Sequence, residues 1–183
     1  TANRIVDTSD WIKFDARQDF SPGSPIGAEV WLDAPAGKQG WVQIDGQHFV
    51  FEKSPKRPFK FWGANIAYAN MAVTEEQAVT WADKFAKYGV NVVRYHKWTG
   101  NNGWNGLMSP DDVLEFDEER CRQFDRFHAE MKARGIYAGW SPIFALRIDE
   151  SMAKYIANYE EIAATVPKRR GRLFTKSLYP LQN

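Results

Sequence analysis

A single cysteine, Cys121, excludes a disulfide framework and any metal site built on paired thiols. It falls on the apolar side of an expected helix, where a small buried thiol is the plain reading. Charge of one sign is equally scarce: 24 basic against 23 acidic side chains leave a formal net charge of +1. Nucleic-acid binders carry a basic excess or stripe, so no nucleic-acid partner is expected. The basic cluster Lys168-Arg169-Arg170 with Arg172 reads as a solvated loop. Long apolar runs are missing as well. Nothing nears the roughly 18 residues of a membrane span, and no membrane partner is expected. No leader-like segment is read at the N-terminus, and Thr1 in place of Met fits the removal of a leader or tag. Histidine is sparse, and His96 has no second ligand at a fixed spacing. No metal and no cofactor are expected.

Aromatic side chains, in contrast, are plentiful. Eight Trp, seven Tyr and twelve Phe make up 15% of the chain. Indole rings bury apolar area while their N–H keeps a polar partner, and sugar rings offer C–H faces that suit them. Surplus Trp in loops therefore points towards carbohydrate, although for any single Trp packing is the simpler reading.

The chain divides by pattern. Residues 1–58 read as a small β-rich segment, with strands at Trp11–Phe14, Ala28–Leu32 and Trp41–Ile44 separated by Pro/Gly turn clusters. Asp45-Gly46 between Trp41–Ile44 and His48–Phe51 marks a hairpin. From residue 59 strands and helices alternate. Phe59–Asn65 reads as a strand, Thr74-Glu75-Glu76-Gln77 as a capping box opening a helix over 75–88, and Gly89 as its C-terminal cap. The unit then repeats: a strand at Val90–His96, a helix over 118–134 capped by Asp117 with Cys121, Phe124 and Met131 on its apolar side, Gly135, and a strand at 136–141. A further helix is expected from Glu150 to Ala164. Strand, capped helix, Gly, strand is the pattern of right-handed βαβ crossovers and a parallel sheet. Residues 59–183 hold three such strands, whereas a full (β/α)8 barrel takes about 250 residues.

In such a sheet, functional groups sit at the C-terminal strand ends and in the loops that follow. These positions are Asn65 leading to Tyr68, then Arg94 and His96 followed by Trp98 and Trp104, and finally Trp140 and Ser141. Alternation puts Val92, Arg94 and His96 on one face. An arginine facing a barrel interior needs an acidic partner, and none is evident nearby. The stretch from Trp98 to Gly106 is rich in Trp, Asn and Gly, side chains that stack on or hydrogen-bond to sugars.

Phe61-Trp62-Gly63-Ala64-Asn65, the strand Gly89–His96, and Gly135-Ile136-Tyr137 together resemble the first third of clan-A (β/α)8-barrel glycoside hydrolases, nearest the family 5 cellulase and mannanase group. Pro35-Ala36-Gly37-Lys38 to Val42 is similar to the β segment that precedes such barrels. The resemblance covers about residues 34–145. It implies an α/β fold forming the N-terminal part of a TIM barrel, about three βα units, after a small β-rich segment. It also implies a secreted or periplasmic setting and a retaining mechanism with two glutamates about 5–5.5 Å apart. The family's acid/base follows an Asn on the fourth strand, and its nucleophile ends the seventh. The sequence holds no Asn-Glu dipeptide, so both glutamates are expected beyond residue 183. Arg94 matches the family's second-strand arginine, which supports the nucleophile. The third strand departs from the family pattern, with Trp140-Ser141-Pro142 where a His is usual.

The expected substrate-binding set is therefore Asn65, Tyr68, Arg94, His96, Trp98, Trp104 and Trp140. The expected partners are a polysaccharide or oligosaccharide, and either the remainder of the barrel or a second copy to cover the open sheet edge. A non-catalytic carbohydrate-binding domain on the same partial scaffold and a purely structural βα domain are the competing readings.

Overall fold

The computed structural model describes residues 7–11, 26–98, 106–109, 112, 115–141, 150–165, 168–169 and 172–173. The fold is mixed α/β. Three antiparallel strands come first: β1 (Val42–Asp45), β2 (His48–Phe51) and β3 (Ser54–Phe59). Gly46 begins the β1–β2 turn at φ +56°, the left-handed backbone that a tight hairpin needs and glycine supplies cheaply. A second sheet follows in the order β4 (Gly63–Ala67), β5 (Val92–His96), β6 (Tyr137–Trp140), with both pairings parallel. Helix α1 (Glu75–Lys87) joins β4 to β5, and α2 (Glu118–Ala133) precedes β6.

Local chemistry sets the helix ends. Thr74 Oγ1 accepts from Gln77 N at 3.3 Å while Gln77 Oε1 accepts from Thr74 N at 3.0 Å, the reciprocal capping box. Asp117 caps α2 by accepting from Arg120 N at 3.1 Å. Both helices stop the same way. Gly89 N donates to Ala86 O and Val90 N to Phe85 O; Gly135 N donates to Lys132 O and Ile136 N to Met131 O. These are paired Schellman closures, with Gly89 and Gly135 at φ +69° and +83°. Each turns the chain directly into a parallel strand.

The helices cover one face of the parallel sheet. Ile66, Val93 and Tyr95 point into that side and meet Ala78, Ala82, Ala86, Phe124, Phe127 and Met131 in one core. Arg134, just past α2, ties the helices together through Asp83 at 2.5 Å and Glu130 at 2.7 Å. The other face carries Gly63, Asn65, Val92, Arg94 and Gly139, with Asn65 and Arg94 exposed. At the N-terminal end of this face, Tyr137 stacks on Phe51 at 5.5 Å and meets Phe59 and Phe61 edge-on. That aromatic cluster seats the antiparallel sheet beneath the parallel one.

Four expectations change. Ala28–Leu32 does not form a strand: Glu29–Trp31 is a 3-10 turn, anchored by Ala28 N donating to Lys87 O at 2.8 Å. The stretch 59–65 is divided, because Phe59 pairs with Phe49 in the antiparallel sheet and the parallel strand starts at Gly63. Strand β3 thus runs across the 58/59 boundary. The helix over 150–164 is broken: a 3-10 turn at Glu150–Tyr155 gives way to α3 (Tyr159–Thr165), with Asn158 between them at φ +57°. Lys168–Arg169 and Arg172–Leu173 form a small antiparallel pair (β7 and β8) where a loop is expected. The expected strand at Trp11–Phe14 lies, apart from Trp11, outside the described residues.

Candidate functional site

The parallel strands end together, and their last side chains on the face away from the helices meet. Register places Asn65 beside Arg94 and Arg94 beside Gly139. Arg94 Nη1 donates to Asn65 Oδ1 at 3.3 Å, and Nη2 donates to Ser141 Oγ at 2.6 Å. His96 Nδ1 lies 3.2 Å from the same Ser141 Oγ. Arg94 already points an N–H at this hydroxyl, so the hydroxyl hydrogen is best placed towards His96, leaving Nε2 as the protonated ring nitrogen. The backbone of Ser141 is held on both sides. Its N–H donates to Tyr95 O at 3.1 Å, and its carbonyl accepts from Trp98 Nε1 at 2.6 Å. Ser141 is the hub of the cluster.

The electrostatics are one-sided. The pKa of His96 is lowered, first by desolvation and then by the positive charges of Arg94 and Lys97. Arg94 meets neutral oxygens only, with no carboxylate within ion-pair distance among the described residues. It escapes the cost expected of a buried unpaired arginine because it is exposed to water.

Two strand ends also share an uncommon backbone. Tyr68 follows β4 at φ +59°, and Lys97 follows β5 at φ +64°. Non-glycine residues pay for that conformation, and it concentrates at ligand sites and switches. The Lys97 ammonium donates to the Tyr68 hydroxyl and sits 4.2 Å from the ring centroid, so the two strained residues clasp each other.

Of the expected set, Asn65, Arg94 and His96 gather around Ser141, and Tyr68 reaches the same end through Lys97. Trp98 borders the group through its bond to Ser141. Trp140 shares the end of the sheet and lies on the wrong face. It pairs with Tyr95 in the ladder, so its ring turns to the helix side and packs on Tyr95 and Phe124, both at 5.4 Å, and on Trp98 at 5.5 Å. Trp104 lies outside the described residues. Ser141 stands at a strand end in the sequence, but nothing in its residue type announces a hub, which depends on register.

A cavity of about 550 Å³ lies elsewhere, at the N-terminal end of the strands, lined by Trp31, Phe51, Arg57, Phe59, Lys60 and Tyr137 among others. It is separate from the polar cluster, which lies at the C-terminal ends of the same strands. The cavity is the seam between the two sheets. Among the described residues no group of three or more His, Cys, Asp or Glu could hold a metal ion. No helix among them is long and apolar enough to cross a membrane. Comparison with family models, curated proteins and solved structures finds no match.

Proposed function

We propose that this chain forms part of the substrate cleft of a carbohydrate-active glycoside hydrolase, and that its parallel sheet is a segment of a (β/α)8 barrel. The observation that carries the reading is the meeting of Asn65, Arg94, His96 and Ser141 at the C-terminal ends of three parallel strands, on the face away from the helices. That is where barrels assemble their sites. Amide, guanidinium, imidazole and hydroxyl groups match the donors and acceptors of sugar hydroxyls, and Trp98 supplies an indole beside them.

None of these residues is a carboxylic acid. Retaining hydrolysis needs one carboxyl to protonate the leaving oxygen and a second to attack the anomeric carbon. In this reading both come from barrel strands outside the described cluster, and Arg94 orients the nucleophile. A secreted or periplasmic setting belongs to the same proposal, since polysaccharides are met there. Further strands, from the same polypeptide or a second one, cover the open face of the sheet, because parallel sheets bury both faces.

Native affinity electrophoresis in gels cast with soluble neutral and acidic polysaccharides tests the reading. Retardation by at least one glycan, lost in Arg94→Ala, is the expected result, together with no release of reducing ends by the chain alone. Unretarded migration in every gel would remove the carbohydrate assignment.

A further inference from the structure

The two outer strands of the antiparallel sheet are built differently. β3 reads Ser54-Pro55-Lys56-Arg57-Pro58-Phe59, and its ladder to β2 shifts register between Phe49 and Phe51. Proline, positive charge and a break in register are the devices that keep an edge strand from recruiting another chain. β1, Val42-Gln43-Ile44-Asp45, has none of them. Its register against β2 is unbroken, and all four residues are exposed. Ile44 is 77% exposed, and Trp41 just before the strand 81%.

The phase of the ladder fixes which backbone groups β1 offers. Glu52 N donates to Trp41 O at 2.9 Å, so Trp41 and Glu52 form a hydrogen-bonded pair. Such pairs alternate along an antiparallel ladder, so Gln43 with Val50 and Asp45 with His48 are bonded in the same way. Val42 and Ile44 therefore turn their N–H and C=O groups outward, where they meet no backbone partner among the described residues. That row is self-complementary. When a second β1 lies antiparallel with Gln43 opposite its own copy, Val42 meets Ile44 of the partner subunit, Ile44 meets Val42 of the partner subunit, and every outward group is bonded. A two-fold centred on Val42 would call instead on Gly40, whose N–H already donates to Gly37 O at 3.0 Å, and one centred on Ile44 would call on Gly46 in the hairpin turn.

The side chains agree with this register. Val42 and Ile44 share the face of Phe51 and Phe49, and across the two-fold each covers the other. On the opposite face the Gln43 amide faces Gln43 of the partner subunit, and each can give one N–H and accept one. Trp41 stands across from Asp45 of the partner subunit, so the one charge on the strand meets an indole and not a like charge.

We infer that the β1 edge is a homodimer interface, in which two copies of this chain join β1 to β1 about a two-fold axis at Gln43. The two three-stranded sheets become one antiparallel sheet of six. Both of its outer strands are β3, blunted by Pro55 and Pro58, so assembly closes at two copies. The pairing uses none of the parallel strands and does not rest on the carbohydrate reading.

Sedimentation velocity of the 183-residue chain up to about 1 mM tests the interface. A reversible, concentration-dependent doubling of the 21.0 kDa mass is expected. Ile44→Pro deletes an outward N–H and no bond to β2, so it should weaken self-association at least about tenfold and leave the far-UV circular dichroism unchanged. Opposed residues of a non-bonded pair have Cα atoms about 4.5 Å apart, within reach of a disulfide. Gln43→Cys should therefore oxidise to a covalent dimer. Asp45→Cys, displaced from its own copy by four residues or about 13 Å, should not, and the unaltered chain sets the background from Cys121. A mass of 21.0 kDa at every concentration overturns the inference. So does a dimer that ignores Ile44→Pro and is not cross-linked through Gln43→Cys, because the copies then meet elsewhere. Growth beyond two copies refutes closure by β3. If Ile44→Pro fails to fold, the two cysteine variants decide alone, and equal cross-linking by both refutes the register.

Discussion

Replacing Phe127 by alanine measures whether α2 is seated on the parallel sheet. Phe127 is 1% exposed and lies in the core with Ala78, Ala82, Tyr95 and Met131. A buried Phe side chain removes about 150–250 Å² from water. At about 25 cal/mol per Å² this corresponds to roughly 4–6 kcal/mol as an upper bound, since unfolded chains already bury some apolar surface. Measured Phe→Ala truncations in cores cost about 3–5 kcal/mol, and we expect that range. For a chain of this size the midpoint should fall by roughly 6–20 °C. Urea unfolding followed by far-UV circular dichroism gives the free energy directly, with an unchanged slope showing that the same surface is exposed. Phe116→Ala is the companion control: that ring is 55% exposed, and a surface change of this kind should stay within about 0.5 kcal/mol. A Phe127→Ala cost below about 1 kcal/mol would show that α2 does not pack as described.

Thr74→Ala removes one half of the capping box and should lower stability by about 1 kcal/mol in the same urea assay. Gly135→Ala should cost more than about 1 kcal/mol, because φ is +83° and a Cβ would lie 3.1 Å from Ala34 N. A thermal scan showing no loss would contradict the Schellman closure. His128 gives a pH dependence. Burial is the first cause of its lowered pKa, its ring stacks on Tyr95 at 5.8 Å, and its Nδ1 is buried without a hydrogen-bond partner among the described residues. The unfolded chain therefore takes up a proton more readily than the folded one. Stability from this group is intact above the ordinary histidine range near pH 6.5 and declines as pH falls below it. Replacing His128 by Phe should flatten the fall in unfolding free energy between about pH 7 and 5, and an unchanged slope would assign it to other groups.

The repeated unit was legible because its signals are local. A capping Thr or Asp, an apolar helical face, and a glycine two residues past the last helical turn each act within a few residues, and together they fix where each strand begins. Glu29–Trp31 was not legible, since Val30 and Trp31 favour extended structure and only contacts such as Ala28 to the end of α1 select the turn. Phe59-Lys60-Phe61 reads as one strand for the same reason. Its aromatics instead join Phe49, Phe51 and Tyr137, partners that pattern alone does not reveal. Arg94 and His96 could be placed on a shared face by counting alternation within β5. Trp140 and Ser141 could not, because their side of the sheet depends on the register of β6 against β5.

Tyr137 joins parts of the chain that are far apart in sequence. Its hydroxyl accepts from Gly37 N, a contact across 100 positions of the chain. The antiparallel strands it rests on are neighbours in sequence and close through short turns, so they form with little loop entropy to overcome. The third parallel strand meets that platform across both crossovers of the chain. The aromatic seam is therefore non-local, and it ties the two sheets into one unit through contacts that no single stretch of sequence contains.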